Sequence, residues 1–163
     1  MILIGYDGSD NAKDAIRHAG ALFQGQPAAV LSVWEPFADI VARAPAGLAG
    51  AAGITDYERL DDASRRAADQ QAQAGAALAR DAGLDATART IPRAGAMAQT
   101  ILNEAEAVKA DAIVLGSRGL TGVGSFFLGS VSHAVVQSAD RPVLIVPSPE
   151  VAQERTEKRR GRD

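Results

Sequence analysis

The stretch Ala112-Ile113-Val114-Leu115-Gly116-Ser117-Arg118-Gly119 decides the fold. Its four apolar residues in a row, ended by glycine, describe a strand buried on both faces. After Gly119 come nine residues and then Gly129-Ser130-Val131-Ser132, so glycines mark both ends of the connection. The next residues start a helix that is expected to turn Val131, Ala134, Val135 and Val136 inward. Pro142 opens another apolar run, Val143 to Val146, closed by Pro147. Strand, glycine loop, helix and strand make one βαβ unit.

Working back toward the N-terminus, the same rhythm repeats. Ile2 to Tyr6 is an apolar run ending at Asp7-Gly8-Ser9, a buried strand followed by a turn with Ser9 as helix N-cap. Ala12, Ala15, Ile16, Ala19, Leu22 and Phe23 fall on one helical face, and Gly25-Gln26-Pro27 ends that helix. Ala29 to Trp34 reads as a second buried strand. Glu35 to Thr55, with three glycines and two prolines and no period, reads as a long loop of the kind that is functional or mobile. From Asp56 the spacing of Tyr57, Leu60, Ala67, Ala74 and Leu78 predicts a long amphipathic helix ending near Gly83. Asp85 to Ile91 is a weaker strand, placed by the rhythm of its neighbours, and Met97, Ile101, Leu102, Ala105 and Val108 mark a third helix. Strands alternating with helices, joined by right-handed crossovers, give an α/β domain of three layers, with helices on both faces of a doubly wound parallel sheet. Strand order does not follow from this pattern.

Composition sets limits on chemistry. A chain of 163 residues forms one domain with one core. With 47% hydrophobic but only 4% aromatic residues, that core is built from Ala, Val, Leu and Ile. The chain has no cysteine, which removes disulfides, thiolate catalysis and cysteine-ligated metals. The apolar start lacks a basic flank and is far too short for a signal peptide or membrane span, so no membrane association and a cytoplasmic location are expected. A net charge of -3 argues against a nucleic-acid partner. Beyond Pro147 the sequence is almost wholly polar, with five basic and four acidic residues from Glu150 onward. Residues 1–147 are therefore expected to form the domain and 148–163 a disordered tail.

The glycine-bounded loop is the sharpest chemical feature. A connection leaving a strand and entering a helix can turn its N–H groups toward an anion, and the helix N-terminus adds favourable partial charge. A triphosphate is the natural guest, with Ser130 and Ser132 supplying hydroxyls and Arg118 a charge-assisted contact. In open α/β sheets, ligands sit beyond the carboxyl ends of the strands where strand order reverses, and both Asp7 and Gly116 stand at such ends. If the first and fourth strands are neighbours, Asp7 can accept from a ribose diol while the loop takes phosphates. Read locally, Asp7 before Gly8-Ser9 is equally a turn residue. His18 lies off the apolar stripe and reads as solvated, and His133 has no carboxylate or serine at a spacing that would make it a general base. Trp34 and Glu35 border the end of the second strand, where a packed aromatic is the plainer reading. No G-x4-G-K-[ST] segment is present, which excludes a P-loop ATPase.

Ile2-Leu3-Ile4-Gly5-Tyr6-Asp7-Gly8-Ser9, together with G-x2-G-x9-G-S from Gly116 to Ser130 and Ala139-Asp140-Arg141-Pro142-Val143-Leu144-Ile145-Val146-Pro147, resembles the ATP-binding branch of the universal stress protein family. The resemblance spans Met1 to about Pro147. It implies a five-stranded parallel sheet in the order 3-2-1-4-5, Rossmann-like and of the adenine nucleotide alpha hydrolase-like type. It implies that Asp7 contacts ribose and that the Val33 backbone meets adenine, with Leu115 and Gly5 lining the pocket. Gly116, Gly119, Gly129, Ser130, Val131 and Ser132 would line the ribose and phosphate track. It also implies a homodimer through the last strand, Val143 to Val146, which is an edge in this order. The function implied is a regulatory ATP-binding protein of the stress response, not an enzyme. The alternative is a slow nucleotide hydrolase or nucleotidyl transferase on the same sheet. Whether magnesium or manganese accompanies the nucleotide stays open, as does ATP against AMP.

Overall fold

The computed structural model describes residues 1–43, 57–119 and 128–160. The chain runs β1 (Ile2–Gly5), α1 (Asp10–Leu22), β2 (Pro27–Trp34), α2 (Phe37–Arg43), α3 (Tyr57–Asp81), β3 (Asp85–Pro92), α4 (Met97–Ala107), β4 (Ala112–Gly116), α5 (Ser130–Ser138), β5 (Val143–Val146) and α6 (Pro149–Arg160). The five strands form one parallel sheet in the order β3-β2-β1-β4-β5, with Leu3 opposite both Ala29 and Ile113. The weak strand is present as β3 and pairs with β2 along its whole length.

Two cores follow from the alternation of side chains across the strands. On one face Ile2, Ile4, Tyr6, Val30 and Val114 pack against α1 and α3 through Ala12, Ala15, Ile16, Ala19, Ala76 and Ala79. On the other, Leu3, Leu31, Ile113 and Leu115 pack against Ile101 and Ala105 of α4 and Val135 of α5. Ser9 caps α1 as expected, its Oγ accepting from the Ala12 N–H at 3.2 Å.

Four local expectations are corrected. The buried face of α3 is Ala68, Ala72, Gly75, Ala76 and Ala79, while Tyr57, Leu60, Ala67 and Ala74 are exposed and Leu78 only half-buried. The alternative apolar set has equally good spacing, and the smaller residues win because they let the helix lie close to the strands. Leu22 of α1 and Val136 of α5, expected inward, are largely exposed. Within the expected loop, Phe37–Arg43 is helical, with the Phe37 N–H held by Asp61 Oδ1 and its ring 5.4 Å from that of Tyr57; residues 44–56 lie outside the described residues. The expected disordered tail is instead α6 through Arg160. Pro149 at its first position, Glu150 in the first turn, basic residues in the last turn and the pairs Gln153–Glu157 and Lys158–Glu154 all favour a helix, and Val151 is buried.

Candidate functional site

Connections from β1 and β4 leave toward opposite faces of the sheet, so the carboxyl ends of these neighbouring strands open a crevice between them. A cavity of about 610 Å³ fills it. All the residues expected to meet the nucleotide line this cavity: Gly5 and Asp7 from β1 and its exit, Val33 from β2, Leu115, Gly116, Arg118 and Gly119 from β4 and its loop, and Gly129 to Ser132 at the start of α5. Trp34, Glu35, His18 and His133 do not line it. Glu35 is instead paired with Arg93 at 2.7 Å and with Arg43. Residues 120–127 of the glycine-bounded connection lie outside the described residues.

One wall is apolar. Leu31, Val33, Met97, Ile101 and Leu115 form the upper edge of the core on the α4 and α5 face, a slot suited to a flat ring. The opposite part is polar and carries Asp7 and Arg118. Asp7 Oδ1 accepts from the Ser9 N–H at 3.0 Å, which fixes the carboxylate at the strand exit. Its Oδ2 faces Gly119 so closely that a methyl group there would lie 2.6 Å away, so a side chain at this position would push the carboxylate aside.

The loop is held by a side chain that the motif does not contain. Asn11, buried in the first turn of α1, donates to the Val146 carbonyl at 3.1 Å and accepts from the Arg118 N–H at 2.9 Å and the Ser117 hydroxyl. The Ser117 hydroxyl in turn accepts from the Ser148 N–H, and the Ser117 carbonyl accepts from the Gly129 N–H at 2.7 Å. Gly129 therefore ties the two ends of the connection together and does not turn its own amide to the cavity, contrary to expectation. The Ser132 hydroxyl is likewise committed, donating to the Gly116 carbonyl at 2.8 Å. What remains for a guest is the first turn of α5. Its N–H groups have no intrahelical acceptor, and no side chain caps it. Arg118 has a buried Nη2 with no hydrogen-bond partner among the described residues. The uncapped helix start on this cavity fits an anion, whereas the Arg118 Nη2, being fully buried, does not open onto it. No group of three or more metal-ligating side chains is found among the described residues.

A scan against protein-family models matches residues 1–147 to the universal stress protein family. The chain belongs to this family. A universal stress protein of Thermus aquaticus, encoded in the 3′ region of QAH/OAS sulfhydrylase, is 40% identical over 158 residues, covering 89% of this chain and 96% of the relative. Among solved structures, that of the hypothetical protein MJ0577 superposes with a TM-score of 0.70 at 23% identity, covering 90% of this chain and 94% of that one. A universal stress protein crystallised in complex with cAMP superposes with a TM-score of 0.57 at 26% identity, covering 89% and 94%. No helix among the described residues is long and apolar enough to cross a membrane.

Asn11, Gln71, Met97 and Ile101 belong to the site and were not singled out as such from the sequence. Asn11 had a signal, a polar residue on the inward face of α1 two residues after the cap. Gln71 stands three residues after Ala68 and four before Gly75, in line with the buried stripe of α3, a position hidden while the helix was read on the wrong face. Met97 and Ile101 read as ordinary helix core, and only packing brings them to the strand ends.

Proposed function

We propose that this universal stress protein binds ATP as a regulatory ligand. The adenine ring lies in the apolar slot against the Val33 backbone, Gly5 and Leu115, the ribose on Asp7, and the phosphates along Gly116, Gly119 and Gly129 to Ser132 with Arg118. The observation that carries the reading is the uncapped first turn of α5 opening on the same cavity as the Asp7 carboxylate and the apolar slot. The relative that binds cAMP supports an adenine nucleotide as that guest. The nucleotide acts as an occupancy signal, with no multiple turnover.

Thermal unfolding with and without nucleotide tests this. ATP at ~100 times its dissociation constant should stabilise the protein by ~2.7 kcal/mol. Gly119→Val, which drives a side chain into the Asp7 carboxylate, should abolish the shift. An unchanged midpoint at millimolar ATP contradicts the reading, and phosphate release faster than that of Gly119→Val would replace the sensor by a slow hydrolase. The edge strand β5 is proposed to pair with a second copy of the chain, since a bare apolar edge needs cover. Sedimentation at tens of micromolar should give a dimer, and a monomer refutes it.

A further inference from the structure

Gln71 is a neutral amide placed where α3 should present an alanine. It lies on the line of Ala68, Ala72, Gly75 and Ala76, is half-buried, and its side chain lines the cavity. It makes no hydrogen bond among the described residues. A guest that fills the cavity and covers this half-buried amide must offer it a polar group in place of water. Its place says which group. A methyl at Gly8 would sit 3.0 Å from Gln71 Nε2, which puts the amide over the turn immediately after Asp7. It approaches from the α1 and α3 face, whereas the apolar slot for the base belongs to the α4 and α5 face. The phosphate positions already have the uncapped α5 amides and the helix N-terminal partial charge, against which an uncharged amide is a weak competitor. What lies between slot and phosphate track, next to Asp7, is the sugar. A carboxylate can only accept, while an amide both accepts and donates, so together they match the two hydroxyls of a ribose.

Resting on the nucleotide reading above, we infer that Gln71 is a specificity-determining residue that hydrogen-bonds a ribose hydroxyl beside Asp7 and makes the site prefer ribonucleotides to their deoxy counterparts. The reason is differential: a deoxy sugar leaves the Gln71 amide unpaired, and a site built around a hydrogen bond discriminates against the ligand that lacks it.

The test compares affinities of ATP, 2′-deoxy-ATP and 3′-deoxy-ATP for the wild type, Gln71→Leu and Gln71→Ala. Leucine preserves the volume, alanine matches the rest of the stripe, and thermal midpoints of both variants without ligand establish that they fold. The wild type should bind ATP about tenfold more tightly than at least one deoxy analogue, the ratio expected for one hydrogen bond. In both variants that ratio should fall to near one, through weaker ATP binding with little change for the same analogue. Equal binding of all three by the wild type, or ratios unchanged in both variants, overturns the role of Gln71 and leaves nucleotide binding intact. No binding of any of the three by the wild type overturns the nucleotide reading itself, and this inference with it.

Discussion

The two faces of the sheet are packed by different means. Toward α1 and α3 the helix side of the contact is mostly alanine and glycine, with Ala15, Ala19, Ala72 and Ala79 fully buried beside Ile16, so helix and strand backbones approach closely. Toward α4 and α5 the helices contribute Ile101 and Val135 beside Ala105, against Leu3, Leu31, Ile113 and Leu115 of the strands, and these larger branched helix side chains fill a thicker layer. The difference teaches that one core has no room for added atoms and the other cannot lose them. It also explains the shape of the site. The thick layer ends in an apolar slot at the strand ends, and the thin layer brings α3 near enough for Gln71 to reach the cavity.

The comparison can be broken most forcefully on the thick side. Ile113→Ala removes a fully buried side chain from the centre of β4 and should lower stability by about 2–5 kcal/mol in urea unfolding; a loss below 1 kcal/mol would mean that this layer collapses around voids as readily as a loose one. On the thin side, Gly75→Ala sets two effects against each other. Alanine gains about 1 kcal/mol in helix propensity, but its methyl would sit 2.7 Å from the Tyr6 ring and 2.8 Å from Val30 Cγ1, and overpacking costs about 1–3 kcal/mol. Both neighbours are core side chains fixed from several sides, so a net loss of about 1–2 kcal/mol is expected, and a gain in stability would show that the close packing is slack. The smallest effect concerns the rim of the thick side. Arg141 donates to the Ala105 and Ala110 carbonyls and grips Asp140 through both carboxylate oxygens. That hydrogen-bonded guanidinium holds the exposed Asp140 carboxyl below its ordinary value of 3.8. A depressed carboxyl stabilises above the unfolded pKa and stops doing so as pH falls through the folded value. Wild type should therefore exceed Asp140→Asn slightly in stability at neutral pH and match it in strong acid, as read from unfolding midpoints across that range.

Much of this was legible in the residues. Ile2 to Tyr6, Ala29 to Trp34 and Ala112 to Leu115 are short continuous apolar runs followed by punctuation, and a strand buried on both faces leaves no ambiguity of face to resolve. The site residues at strand exits were legible for the same reason, since the carboxyl end of a central strand is a fixed address in this architecture. Helices were harder. For α3 two apolar sets of similar spacing compete, and the choice of Ala72 over Ala74 depends on how closely the helix seats, a tertiary quantity. The same uncertainty hid Gln71, and it made Met97 and Ile101 indistinguishable from ordinary core. The α6 segment misled through composition: its polarity hid a set of i,i+4 pairs and one buried anchor, Val151. Commitments of single donors, such as the Gly129 amide to Ser117 and the Ser132 hydroxyl to Gly116, depend on loop geometry that no spacing encodes.

The central claim is that the first turn of α5 and the Gly116 to Gly119 turn receive the phosphates of an adenine nucleotide. The most direct measurement is an amide-resolved NMR titration of the isotopically labelled protein with ATP. Saturable shifts should concentrate at Ser130, Val131, Ser132 and Gly119, with Gly129 moving less because its N–H is already held by Ser117. Saturating ATP that leaves these amides unmoved, or that perturbs only residues remote from the strand ends, would contradict the account.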